Sequence, residues 1–224
     1  MTIGTLNEGP LHAALKATYV ANGGHAEVPV DGFVADAVRG GVIYEVQTGS
    51  FSGLNRKMKT LADQSRVVLV HPIAATSHIV KEVAAGEKPL PRRKSPKHGR
   101  LAHIINELVY LPTLLEHPNF SVEVVLTEEE ELRRYDPKKN RRRGGWRVVE
   151  RRLIRIVEGC RLDSSADLMQ FVSGDLPQPF ATKDLAAAMQ ESVTIAQRLA
   201  YCWRYAGVTE IAGKQGNALL YTFK

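Results

Sequence analysis

Three oxygen-bearing side chains stand close together in the stretch FVADAVRGGVIYEVQ: Asp36, Glu45 and Gln47. Asp36 precedes Gly40-Gly41, and Glu45 and Gln47 follow it. A glycine pair between two apolar, β-branched runs is a tight-turn signal, so the stretch reads as a β-hairpin. Glu45 and Gln47 are two apart, which puts their side chains on one face of a strand. The turn brings Asp36 beside Glu45. Two carboxylates held close are costly unless a cation neutralises them. Mg²⁺ or Mn²⁺ takes oxygen ligands and keeps several waters. Such an ion polarises a phosphate and lowers the pKa of a bound water. Glu8, at the start of the first predicted helix, is placed to complete the site. Asp31 competes with Asp36, but it stands directly before Gly32, where a turn role is expected. His71, beside Pro72 at the end of an apolar run, reads as a hydrogen-bonded structural residue. Thr48 and Ser50 stand where they can bond a phosphate, and Ser50 equally where the next helix can begin.

The elements that position these residues are legible from periodicity. Apolar residues at helical spacing (Leu11, Ala14, Leu15, Tyr19) predict a helix from Gly9 to Ala21. The hairpin follows, and Leu54, Met58 and Leu61 predict a helix from Ser52 to Gln64. RVVLVHPIA is a continuous apolar run, as in a strand buried on both sides, with SHIVKEV as one more short strand. The order α-β-β-α-β predicts a mixed sheet flanked by helices. Gly86 to Arg100 reads as an exposed loop, and Leu101 to Leu115 as an amphipathic helix. SVEVVLTEEEELRRYD and WRVVERRLIRIVEGC read as two long strands.

Charge is distributed unevenly. The 224-residue chain has a net charge of +6. Between Arg133 and Arg155 eleven basic residues face only Asp136 and Glu150 in sequence, a segment charge of +9, which leaves −3 for the remainder. Arg141, Arg142 and Arg143 would sit at the tip of the hairpin between the long strands. A second basic run holds Arg92, Arg93, Lys94, Lys97 and Arg100. Cation density of this kind binds phosphate backbones by releasing counterions. The partner expected is therefore nucleic acid, most readily DNA. No stretch approaches the roughly 18 apolar residues of a membrane span, and the N-terminus lacks the pattern of a secretory signal. Two lone cysteines in apolar contexts fit a reducing compartment. Together these predict a cytoplasmic protein without membrane contact.

The last sixty or so residues change character. A short helix at Asp163–Phe171, a second capped by Thr182, and a third from Ser192 to about Ala206 lead into two short strands around Gly213–Gly216. Three helices and a small hairpin are the winged helix-turn-helix plan. Ile195, Leu199, Cys202, Trp203 and Ala206 form its core stripe. Thr194, Gln197, Arg198, Tyr201 and Arg204 form the opposite face, where Gln197 and Arg198 can read base edges. Lys214, Gln215 and Asn217 would be on the wing.

The order of Glu8, Asp36, Glu45-Val46-Gln47, a helix and a buried strand resembles the restriction-endonuclease-like PD-(D/E)xK nuclease superfamily. VDGFVADAVRGGVIYEVQTGSFSGLNRKMKTLADQSRVVLVHPIA is similar to an Asp…Glu-x-Gln branch in bacteria and archaea. The resemblance implies metal-binding acids at Asp36 and Glu45, with Glu8 as the acid of the first helix. It implies a lysine two residues after the acid, where this chain has Gln47. Glutamine can orient a water but carries no charge, and a lysine from the following helix, Lys57 above all, would supply it. Arg56 and Lys59 are the other candidates. SVTIAQRLAYCWRYAGVTEIAGKQGNALLYTF resembles the winged-helix domains of bacterial regulators.

The expected architecture is thus α/β: a restriction-endonuclease-like domain over 1–160 with a basic hairpin at 133–155, then a winged helix over 161–224. The expected function is Mg²⁺- or Mn²⁺-dependent hydrolysis of phosphodiester bonds in DNA. The sequence leaves oligomeric state open, and a homodimer is compatible with it, because two-strand cleavage often uses two active sites. The alternative is a non-catalytic DNA-binding regulator or adaptor on a disabled nuclease fold.

Overall fold

Two turns with positive φ build the first half of the sheet. Strands β1 (His25–Val30), β2 (Phe33–Arg39) and β3 (Val42–Val46) form an antiparallel meander. Each connection has two residues: Asp31 (φ +46°) and Gly32 (+79°), then Gly40 (+57°) and Gly41 (+76°). Two successive residues at positive φ match the right-handed twist of the flanking strands, which explains Asp-Gly and Gly-Gly at these positions. Asp31 therefore serves a turn. Strand β1 was not read from the sequence: its residues are mostly exposed and lack the apolar run that marks the other strands. The computed structural model from which these elements come describes residues 8–21, 23–82, 90–138 and 144–224.

Helix α1 (Pro10–Val20) precedes the meander and α2 (Asn55–Ala62) follows it. Strand β4 (Arg66–Lys81) returns parallel to β3, with Glu45 level with Leu69. The sequence suggested a strand break after Ala74; β4 runs on unbroken. Pro72 does not interrupt it, because it lies just past the last β3 pair, Val46–Val70. Its missing N–H would otherwise face that side. The Gln47 carbonyl lies 2.7 Å from His71 Nδ1 instead. That bond, with burial and an edge contact to Phe51, makes His71 the structural residue expected. Burial holds its pKa below the ordinary value, so the neutral ring donates from Nδ1.

Strands β6 (Phe120–Tyr135) and β7 (Trp146–Leu162) complete the large sheet, in the order β1-β2-β3-β4-β6-β7. The short β5 (Arg93–Lys94) takes the place of β3 beside the far half of β4. The expected helix over Leu101–Leu115 is broken into a 3-10 turn, the four-residue α3 (Ile105–Leu108) and a second 3-10 turn at Leu114–Glu116. Pro112 disfavours helical backbone at Leu111 and supplies no N–H, which stops a continuous helix. After Leu162 the elements run in the order of a 3-10 helix (Ser165–Phe171), β8 (Phe180–Ala181), α4 (Thr182–Met189), α5 (Val193–Tyr205), β9 (Thr209–Gln215) and β10 (Ala218–Phe223). Strands β8, β10 and β9 form a separate three-stranded sheet. Ser192 caps α5 by accepting the Ile195 N–H. Thr182 does not cap α4; Asp184 does so by accepting the Ala181 N–H at 2.8 Å.

The period of two along β4 divides the core. Val68 and Val70 face α1, where Leu11, Leu15 and Tyr19 are buried against them. Each such apolar side chain contributes about 1.5–3 kcal/mol relative to exposure. Val67 and Leu69 face the other way, toward Met58 and Leu61 of α2 and Leu108 of α3. The same cluster continues into Leu185, Leu199 and Trp203, so the core is continuous across residue 160. Among the described residues no helix is long and apolar enough to cross a membrane.

Candidate active site

Asp36 sits where the ladder around β2 lapses. Pairing with β3 ends at Ala37–Tyr44, so Asp36 falls at the next position, opposite Glu45. On the β1 side the register passes from Ala26–Ala37 to Val28–Ala35 without a pair between them, and Glu27 there has φ +54°. The Asp36 carboxylate substitutes for a ladder partner, accepting the Val46 N–H at 2.8 Å. Its same oxygen, Oδ2, lies 3.2 Å from His12 Nε2. His12 Nδ1 in turn lies 2.7 Å from Glu8 Oε1.

Glu8, His12 and Asp36 therefore form one half-buried cluster, with a ligand atom from each within 4.8 Å of the others. Glu8 was expected here and is brought in, although it precedes α1 by two residues and is not part of that helix. Lys16 also binds it, and Lys16 bonds Glu27 as well. His12 was not anticipated. Its signal in the sequence was its place four residues after Glu8, which on a helical path puts the two side chains together.

Glu45 is buried and turns toward α2. Lys57 donates to its Oε2 at 2.7 Å, and Oε1 is buried with no hydrogen-bond partner among the described residues. Of the three basic residues considered on α2, Lys57 is the one bonded to Glu45. Its ammonium also lies 3.3 Å from the Val34 carbonyl. Gln47 is not brought to the two acids by any hydrogen bond. Its amide donates to the Ser50 carbonyl at 2.7 Å and braces the loop after β3. Its backbone has left the strand, so the shared face expected for Glu45 and Gln47 does not extend that far. The loop is further fixed by the Phe51 N–H donating to Glu107 at 2.9 Å.

The electrostatics follow from burial and these contacts. Burial alone would lower the His12 pKa, but its hydrogen bond to Asp36 and the charges of Asp36 and Glu8 raise it above the ordinary value. Burial would raise that of Asp36, but His12 and the Val46 N–H hold it below the carboxylate norm. Burial, with the neighbouring Asp36 charge, pushes Glu45 up to about 6 despite Lys57. Glu8, His12 and Asp36 offer two carboxylates and an imidazole at ligand spacing, whereas the unsatisfied oxygen belongs to Glu45, which is not one of that group. Carboxylates with one imidazole suit Mn²⁺ at least as well as Mg²⁺.

The basic hairpin is less cationic in space than in sequence. Strands β6 and β7 pair antiparallel, which lays the acidic run Glu128–Glu131 beside the arginines. Arg155 binds Glu128, Arg151 binds Glu129, and Arg133 binds Glu131. Arg134 binds Glu82, Arg147 binds Asp136, and Arg152 binds Glu150. Every described arginine of this stem is ion-paired. Arg141, Arg142 and Arg143 lie outside the described residues. A separate basic groove of about 640 Å³ is lined by Arg93, Lys97, His98 and Arg133, with Glu131.

In the C-terminal unit Gln197, Arg198, Tyr201 and Arg204 are exposed on α5, and Lys214 is exposed on β9. The Tyr201 and Tyr205 rings lie tilted against each other at 39°, with centroids 4.4 Å apart. Arg198 is not free: its guanidinium donates to the Asn106 side chain of α3.

The chain is similar to an "Uncharacterized protein" of Treponema pallidum (strain Nichols), 33% identical over 187 residues, which span 83% of this chain and 74% of that protein. No solved structure matches it. The profile of the family described as "Domain of unknown function (DUF8091)" matches residues 9–163, which hold His12, Asp36, Glu45 and Lys57. This chain belongs to that family.

Proposed function

We propose that this protein is a metal-dependent nuclease that hydrolyses phosphodiester bonds in DNA, with a restriction-endonuclease-like core and a winged helix that helps hold the duplex. The observation that carries the reading is the constellation on adjacent strands: Asp36 opposite Glu45, with Glu8 and His12 against the first and Lys57 against the second. The order of a helix, an antiparallel pair bearing the acids, a helix and a buried parallel strand supports the fold assignment. The helices and small sheet after residue 162, with Gln197 and Arg204 exposed on α5, support the winged helix. The basic groove at Arg93 and Lys97 supports a polyanionic substrate.

Asp36, Glu45 and Glu8 would hold Mg²⁺ or Mn²⁺, with His12 as a nitrogen donor or as the residue that fixes Asp36. The bound ion supplies Lewis acidity toward a phosphoryl oxygen and a lowered pKa for a water. The chain's own groups do the remainder. His12 and the Val46 N–H lock the Asp36 carboxylate in one orientation. Lys57 offsets the buried Glu45 charge and is in reach to stabilise charge that builds on the phosphate. Gln47 keeps the loop after β3 in place through Ser50.

Nicking of supercoiled plasmid with Mg²⁺ or Mn²⁺, lost in Asp36→Ala and Glu45→Ala, is the expected result. Intact plasmid under every divalent metal would overturn the nuclease. A second reading, a non-cleaving DNA-binding scaffold, is favoured by one observation: Gln47 replaces the expected lysine and spends its amide on Ser50. A salt-sensitive mobility shift without cleavage is the result that would select it.

A further inference from the structure

We propose that the cleft between α1 and β7 is a phosphate-binding subsite, in which Arg151, held by Glu129, takes a phosphodiester group of the nucleic acid beside Asp36. This inference rests on the nuclease reading for the identity of its ligand. The cleft has a volume of about 300 Å³ and its lining includes Pro10, His12, Thr48, Val149, Arg151 and Glu150, the last with its charge met by Arg152. His12 joins it to the acidic cluster, since the ring that lines the cleft also contacts Asp36. Thr48, in the loop after β3, also lines it.

Arg151 differs from the other arginines of the hairpin stem. Arg152 and Arg155 pair with partly exposed acids and are themselves more than half exposed. Arg151 pairs with Glu129, whose side chain is wholly buried, and is itself 32% exposed. Two parallel bonds define the pair, Nε to Oε2 at 2.8 Å and Nη2 to Oε1 at 3.0 Å. Thr127 donates to the same Oε1 at 2.5 Å. A guanidinium has five N–H donors in one plane. Glu129 takes two of them, and a third leans on the Thr48 carbonyl at 3.4 Å. The remainder stay available for an anion, in a plane already set. A fixed guanidinium fork suits phosphate oxygens, which accept in pairs. Burying a carboxylate is costly, and the return for this one is an arginine held still at the edge of a cleft. Glu129 is accordingly a positioning residue, and Arg151 the one that touches the ligand.

The test uses the full chain and a short fluorescein-labelled DNA duplex, with Ca²⁺ in place of Mg²⁺, followed by anisotropy over a range of KCl concentrations. Arg151→Ala alone would strand a buried carboxylate, so the paired variant Glu129→Gln/Arg151→Gln is used, with Arg151→Lys beside it. Thermal unfolding checks that each is folded. Both variants should bind about tenfold more weakly. In the pair the slope of log affinity against log salt should fall by about one, as for one lost phosphate contact. A purely structural role would leave that slope unchanged. Mn²⁺ binding, measured by calorimetry without DNA, should be unaltered. A folded paired variant with wild-type affinity and slope overturns the subsite, whether or not the protein cleaves. Arg151-dependent binding without cleavage under any metal upholds the subsite and overturns the nuclease.

Discussion

Lys57 Nζ lies 2.7 Å from Glu45 Oε2, reaching from α2 to the strand that carries the acid. A cation there offsets a buried carboxylate, and under the proposed function it is the group that would meet a phosphate. Lys57→Met should lower kcat of cleavage by about 10²–10³, the usual cost of removing one charge-stabilising group. KM should change little, and Mn²⁺ affinity should hold or rise, since a competing cation is gone. Steady-state kinetics and calorimetry on the same sample check this; full activity in the variant would remove Lys57 from the reaction.

Glu45 weakens the fold in return for its position. Its pKa is raised from 4.5 to about 6, chiefly by burial. Its contribution to stability is therefore fully present below pH 4.5 and is lost as the pH rises through 6. Glu45→Gln keeps an acceptor for Lys57 and removes the titration. It should stabilise the protein by about 2 kcal/mol at neutral pH and by nothing in acid. The same change should abolish the upward shift in thermal midpoint that the proposed site predicts for the wild type with Mn²⁺. Urea unfolding across this range, with and without Mn²⁺, measures both effects.

His12 should act in the opposite pH window. Its raised pKa comes from Asp36 and Glu8 overcoming burial. The stability that this pairing adds is complete below the unfolded value of 6.5 and disappears as the pH rises through the higher folded value. His12→Ala should therefore cost most in mild acid and least in alkali. A stability loss that grows with pH would show that the imidazole is not paired as described.

The two thiols should be slow. Burial pushes Cys160 to about 11 and Cys202 to about 12. Neither is a thiolate near neutrality, so Ellman's reagent should react with the native protein over hours and with the guanidinium-unfolded chain at once. Rapid reaction of one native thiol would mean that its surroundings open readily.

Cross-strand neutralisation sets the described arginines of the two long strands apart from the sequence run at 141–143. Arg155, paired with Glu128, should be nearly silent: Arg155→Gln should leave DNA affinity within about twofold, as for an exposed ion pair. Replacing Arg141, Arg142 and Arg143 by Gln should lower the salt slope of binding by up to about three, one for each lost phosphate contact. Equal losses from Arg155 and from the 141–143 run would contradict this division.

Much of the candidate site was open to a reader of the sequence. Gly40-Gly41 implies a two-residue turn, and a two-residue turn dictates that Asp36 meets Glu45. RVVLV implies a buried strand, and the spacing of Met58 and Leu61 implies a helix above it, which put Lys57 within reach. Those inferences are local and need only the periods of strand and helix. They failed where a local pattern was ambiguous, as in the exposed β1, or was cut by a proline, as at Pro112.

By itself, then, the sequence determined that Asp36 and Glu45 would meet and which strands would carry them, because turn chemistry and side-chain alternation act over a few residues. Only the tertiary structure decided that His12 touches Asp36, that Arg151 is locked by a buried Glu129 beside the same cleft, and that the arginine-rich stem is nearly neutral. Those contacts join positions 24 and 22 residues apart, or depend on the register of two long strands. Register is set by packing of the whole sheet, and a charge count along the chain does not contain it.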